Sequence, residues 1–110
     1  GSGDSIIGLG GDGVQVAGDD NDVKASGNIV GGAGDGVLID EGNDNEIAAN
    51  DITGSDDGVS IDGDDNDVSA DGNITGTAGD GVTIDGVDNE VTGNDISGGD
   101  DGVSIDGDDN

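Results

Sequence analysis

The chain has 110 residues, 28 of them acidic against a single basic residue, Lys24, for a formal net charge of −27. It contains 26 glycines and no proline, cysteine, methionine, histidine or aromatic residue. That charge excludes nucleic acid as a direct partner and disfavours anionic membrane surfaces, no apolar run is long enough to span a bilayer or form a signal-peptide core, and disulfides are impossible.

The length fits one domain over residues 1–110, with Gly1-Ser2-Gly3 reading as a cloning scar. Bulk composition points to disorder, but the apolar residues are too regularly spaced for an acidic tail. The phrase DDGVSIDGDDN occurs at residues 56–66 and again, letter for letter, at residues 100–110. Anchoring on Asp-Gly-Val at Asp12, Asp35, Asp57, Asp80 and Asp101 gives steps of 23, 22, 23 and 21 residues. Internal repeats of about 22 residues follow, at 11–33, 34–55, 56–78 and 79–99, with a half repeat at 100–110. Alternate units resemble each other more closely, so a pair of turns is the longer period.

In chain order, residues 1–10 align with residues 24–33, which puts Ile6 in one column with Ile29, Ile52, Ile74 and Ile96. Each unit then repeats one trio of short apolar clusters. These are Val14/Val16, Val23 and Ile29; Val37/Ile39, Ile47 and Ile52; Val59/Ile61, Val68 and Ile74; and Val82/Ile84, Val91 and Ile96. Alternation such as Val59-Ser60-Ile61 sends two side chains to one side of an extended strand. Gly, Asn and Asp punctuate the clusters, and no window sustains a period of 3.6. Strands of three residues hold only if each pairs in parallel with its equivalent one coil along. The expected fold is all-β: a single-stranded right-handed parallel β-helix (β-solenoid) of about five coils, about 22 residues per coil, with three short strands per coil.

Gly58-Val59-Ser60-Ile61-Asp62-Gly63, Asn66-Asp67-Val68 and Asn73-Ile74 most clearly carry a pattern that resembles the right-handed parallel β-helix repeats of polysaccharide lyases and mannuronan epimerases. The resemblance covers essentially the whole chain. It implies the fold and, in those enzymes, uronate chemistry built on Arg, Lys, His or Tyr. This chain has no Arg, His or Tyr, and Lys24 joins no constellation, so the expectation is a repeat-only form that is not an enzyme.

Stacking aligns polar residues as well. Asn21, Asn45, Asn66, Asn89 and Asn110 form one column, where left-handed geometry and stacked amides favour asparagine. Three acidic columns accompany it: Asp12/Asp35/Asp57/Asp80/Asp101, Asp40/Asp62/Asp85/Asp106 and Asp20/Asp44/Asp65/Asp88/Asp109. Like charges one coil apart repel by about 1 kcal/mol in water and several-fold more near a low-dielectric surface. Screening by salt, protonation, or bridging by a hard divalent cation would each relieve that repulsion.

The expected cofactor is Ca²⁺, held on the Gly-rich loops Asp62, Asp64, Asp65, Asn66 and Asp106, Asp108, Asp109, less fully by Asp19 and Asp20, and by Asp40, Asp85 and Asp88 of the columns. The alternative is a solvated acidic face. Zinc, copper and iron–sulfur sites are disfavoured by the lack of His and Cys, and the EF-hand pattern is not met. The expected function is a structural scaffold stabilised by calcium, with head-to-tail homo-association through uncapped ends. A non-catalytic carbohydrate-binding or surface-adhesion module is the alternative, with acidic polysaccharide as a partner only through bridging calcium. Threonines form no regular outward array of the ice-binding kind. The expected location is extracellular or at the cell surface for a natural chain, and otherwise that of a recombinant de novo or consensus design.

Overall fold

A computed structural model describes residues 5–110; the reading of Gly1-Ser2-Gly3 as a scar lies outside them. The chain winds as a parallel β-solenoid. The first turn supplies β1 (Ile6–Gly8), β2 (Val14–Val16) and β3 (Asp22–Lys24), and the second β4 (Ile29–Gly31), β5 (Val37–Asp40) and β6 (Glu46–Ala49). The third turn supplies β7 (Ile52–Gly54), β8 (Val59–Asp62) and β9 (Asp67–Ala70). β10 (Ile74–Gly76), β11 (Val82–Asp85) and β12 (Glu90–Thr92) make the fourth, and β13 (Ile96–Gly98) and β14 (Val103–Asp106) follow. Four turns are thus complete, and the fifth has two strands rather than three. No helix occurs among the described residues.

Three parallel sheets run along the stack, in orders β1-β4-β7-β10-β13, β2-β5-β8-β11-β14 and β3-β6-β9-β12. The register places like over like: Ile6, Ile29, Ile52, Ile74 and Ile96 in one sheet, and Val14, Val37, Val59, Val82 and Val103 in the next. Individual steps vary between Asp22↔Glu46 and Glu46↔Asp67, so the turns absorb small insertions while the strands stay aligned.

Period-two alternation sets which side chains go inside. In β8 the pattern buried–half-buried–buried–exposed puts Val59 and Ile61 inside and Asp62 outside. Ile29, Ile39, Ile47, Ile52, Val59, Val68 and Ile74 are fully buried and form one continuous column with no aromatic member. β-Branched residues suit this interior because they are stiff and pack well on a pleated surface.

Two glycines are required by the close coil spacing. A Cβ on Gly58 would lie 2.6 Å from the Gly81 carbonyl oxygen and 2.8 Å from Ile74 Cγ2. Gly63 has φ +144°, and its Cβ would come within 2.0 Å of the Gly42 oxygen. Backbone thus stacks on backbone at both places.

Ile61→Ala removes a fully covered side chain and should cost about 2–5 kcal/mol in urea unfolding. Ile105 occupies the same column but is 49% exposed. Ile105→Ala should therefore cost well under half as much in the same measurement.

Candidate functional site: the stacked carboxylate and amide columns

The asparagine column is an internal amide ladder. Asn66 is 1% exposed, and its Oδ1 accepts both the Asn45 backbone N–H and the Asn45 Nδ2–H, each at 3.0 Å. Its Nδ2 donates to the Gly42 oxygen at 2.8 Å and to Asn89 Oδ1 at 3.1 Å. Asn45 and Asn89 repeat the pattern, and Asn110 Oδ1 accepts from Asn89 at 2.9 and 3.1 Å. Both lone-pair positions of the Asn66 oxygen are filled, so it has no acceptor capacity left for a cation.

The carboxylates run the other way along the stack. Asp12 Oδ1 accepts the Asp35 N–H at 2.8 Å, Asp35 accepts Asp57 at 3.0 Å, Asp57 accepts Asp80 at 2.7 Å and Asp80 accepts Asp101 at 2.9 Å. A second series uses Asp19 for the Asn43 N–H, Asn43 Oδ1 for the Asp64 N–H and Asp64 for the Val87 N–H, at 2.8, 2.8 and 2.9 Å. A third uses Asn28 for Asp51 at 3.1 Å and Asp51 for Asn73 at 2.8 Å. Each acceptor thus takes up a turn N–H of the next coil that would otherwise lack a partner. The Thr83 hydroxyl lies 3.3 Å from Asp57 Oδ2 and 3.1 Å from Asp80 Oδ2, between two carboxylates one coil apart.

These contacts account for the residues expected to bind calcium. Asp19 and Asp64 are backbone acceptors. Asp20, Asp65, Asp88 and Asp109 stand at φ 61°, 58°, 57° and 59°, the left-handed turn geometry that Asp tolerates better than most residues. Asp44 shares that conformation at φ 57°. Asp40, Asp62, Asp85 and Asp106 end their strands in register and point outward as an exposed acidic ladder. Asp108 is exposed, and its carbonyl accepts the Asp88 N–H at 3.2 Å.

The loop carbonyls a cation would use are also taken. Asp62 oxygen accepts from Gly42, Asp64 oxygen from Asp44, and Gly63 oxygen from Asn89 Nδ2. Among the described residues no group of three or more His, Cys, Asp or Glu side chains converges as a metal site. Lys24 lies 3.5 Å from Asp22, with both side chains largely exposed, a pair of little energetic consequence.

A parallel β-solenoid whose polar columns face along its own axis is therefore the class of protein this chain defines. The chain belongs to the NosD family, described as periplasmic copper-binding proteins, whose family model matches residues 2–110. No curated protein and no solved structure matches it. The resemblance to polysaccharide lyases and mannuronan epimerases is thus borne out as a parallel β-helix, while the family that matches is NosD.

The calcium expectation is corrected on two findings. The family's description names copper, and among the described residues no three carboxylates gather around a common point, while Asp19 and Asp64 are engaged with backbone N–H groups. Gly, Asp and Asn at turns read equally well as hard-cation ligands or as turn and ladder residues, and Asp19, Asp64 and Asn66 stand here as ladder acceptors. The donor set does not fit copper either. Copper favours thiolate, thioether or imidazole ligands, and the chain has no Cys, Met or His.

Burial pushes the Asp35 carboxyl up from its ordinary value, and the neighbouring carboxylates Asp57, Asp12 and Asp56 push it further, against the opposing hydrogen bond from Asp57 N–H. Between the ordinary and raised values the folded state holds more protons than the unfolded one. Stability should accordingly increase as pH falls through the raised pKa and be lost again above it. Asp35→Asn keeps the Oδ1 acceptor without the charge. Its stability advantage over the parent should be greatest near neutral pH and vanish in acid, read by urea titration across pH.

Asn66→Ala should cost at least about 3 kcal/mol, because it strands buried groups on three neighbours at about 1–3 kcal/mol each. Asp62→Asn on the exposed ladder should be neutral or slightly stabilising in the same assay.

Proposed function

We propose that the chain is a non-catalytic structural module of the periplasm or cell surface, an acidic coil stack held in shape by salt and extended by further coils at its ends. The observation that carries this reading is the commitment of its polar side chains to stacking. Four columns of Asp and Asn link each turn to the next, and each buried side-chain polar atom among the described residues has a partner. Proton abstraction beside a carboxylate needs a base, an acid and a cationic stabiliser held together. The one cationic side chain, Lys24, sits exposed beside Asp22.

The family's periplasmic description supports the location. With calcium set aside, ionic screening is the remedy for the outward Asp ladder that works at any pH above the carboxylate range. The Debye length shrinks from about 30 Å at 0.01 M salt to about 3 Å at 1 M. The thermal midpoint should climb steadily over that range, equally in NaCl and KCl. A flat response would mean that the exposed charges do not limit stability.

End-to-end association is part of the same proposal. At one end Val103 and Ile105 are each 49% exposed, beside Val91, Ile96 and Asn110. The other end presents the half-buried Val14 and Val23 with the exposed Asn21. A second copy is the occupant that matches, because β2 already pairs with β5 in the register that β11 keeps with β14. Light scattering should show species larger than a monomer that grow with protein and NaCl concentration, and Ile105→Asp should suppress them while leaving the circular dichroism unchanged. A monodisperse monomer in 1 M-range salt would overturn the association.

A further inference from the structure

We infer that Asn73 is an acceptor for N-linked glycosylation, taking an oligosaccharide from a lipid diphosphate carrier. Asn73-Ile74-Thr75 is the one Asn-x-Ser/Thr triplet in the chain. The equivalent triplets of the other turns are Ser5-Ile6-Ile7, Asn28-Ile29-Val30, Asp51-Ile52-Thr53 and Asp95-Ile96-Ser97, and each lacks the leading Asn, the third-position hydroxyl or both.

The structure distinguishes Asn73 from its column neighbours. Asn28 Oδ1 and Asp51 Oδ1 each accept the backbone N–H of the next coil. Asn73 donates its own N–H to Asp51, but its carboxamide has no hydrogen-bond partner among the described residues. It is exposed at the turn entering β10, with exposed Asp71 two residues before it and exposed Asp95 next in the column. A glycan on Nδ2 displaces no contact and projects into solvent. Thr75 faces outward on β10, between Thr53 and Ser97.

In the transfer the Asn73 Nδ2 attacks the anomeric carbon of the reducing-end sugar. The new N–C bond forms as the C–O bond to the diphosphate breaks, the lipid diphosphate leaves with the electron pair, and one amide proton passes to a base of the transferase. Ile74 is fully buried and β10 is paired on both sides, by β7 and β13. The triplet cannot loop out of the finished stack, so transfer precedes closure of the fourth turn. It therefore takes place on the translocating chain, and it rests on the exported location proposed above.

The test is to export the full chain from cells that carry an N-oligosaccharyltransferase and its lipid-linked oligosaccharide, and to measure intact mass. One glycan should be found, absent in Asn73→Gln and Thr75→Ala and retained in Thr75→Ser. Asn73→Gln should keep the parent's circular dichroism, so that loss of the glycan is not loss of the fold. Unmodified chain recovered from the exported fraction beside a modified control acceptor would overturn the inference, as would a mass shift that persists in Asn73→Gln. Recovery in the exported fraction is read separately, so a failure of location is distinguished from a failure of acceptance.

Discussion

The in-register stack imposes one condition on every residue: a polar group facing along the axis meets its own equivalent one coil away. A backbone N–H at a turn has no strand partner, so the coil above or below must supply an acceptor. Asp12, Asp35, Asp57 and Asp80 do this with carboxylates, and Asn66, Asn89 and Asn110 with amides. The amide columns are self-complementary, since each carboxamide both donates and accepts. The carboxylate columns can only accept, and they rely on backbone donors. This difference explains why asparagine occupies the buried column and aspartate the half-exposed ones.

The same condition governs the charge. An outward aspartate repeated each turn is an aspartate repeated at coil spacing, and nothing on a chain with one lysine can offset it. Asp35 bears the consequence most directly, with burial and three neighbouring carboxylates acting against its ionised form. The outward ladder of Asp40, Asp62, Asp85 and Asp106 is exposed to solvent, where mobile ions screen it. A hydrophobic interior of Val, Ile and Ala, without a single aromatic ring, leaves little margin against such repulsion. On the reading proposed above, ionic strength would be part of the folding condition for this chain rather than a property of its surface alone.

Much of the fold was legible because repetition amplifies a weak signal. Val59-Ser60-Ile61 alone is a fragment of any strand, but five aligned copies define a column, a register and an interior. The Asn ladder was legible for the same reason, and its left-handed neighbours Asp20, Asp44, Asp65, Asp88 and Asp109 are the residues that enter it. The role of the acids was not legible. A column of Asp at a Gly-rich turn has one sequence signature whether its oxygens converge on a cation or point along the axis to a backbone N–H. Only the direction of the carboxylate separates those cases, and direction is set by the coil's pitch and turn geometry. The acceptor column of Asn28 and Asp51 was missed because Asn and Asp alternate in it, hiding one shared acceptor function behind two residue types.

Family membership and site chemistry part company in this chain, and the ladder shows why they can. A solenoid turn needs inward β-branched residues, glycine at the close approaches and an acceptor at each turn, and none of those positions has to be a metal ligand. Copper-binding side chains would be additions to such a stack, projecting from outward positions that the fold leaves free. Here many outward positions carry Asp, Ser or Thr, in β8 as Ser60 and Asp62 and in β11 as Thr83 and Asp85, and others carry Gln15, Val30, Leu38 and Ala48. The scaffold is thus intact without the ligands, and its outward face offers negative charge and hydroxyls rather than soft donors.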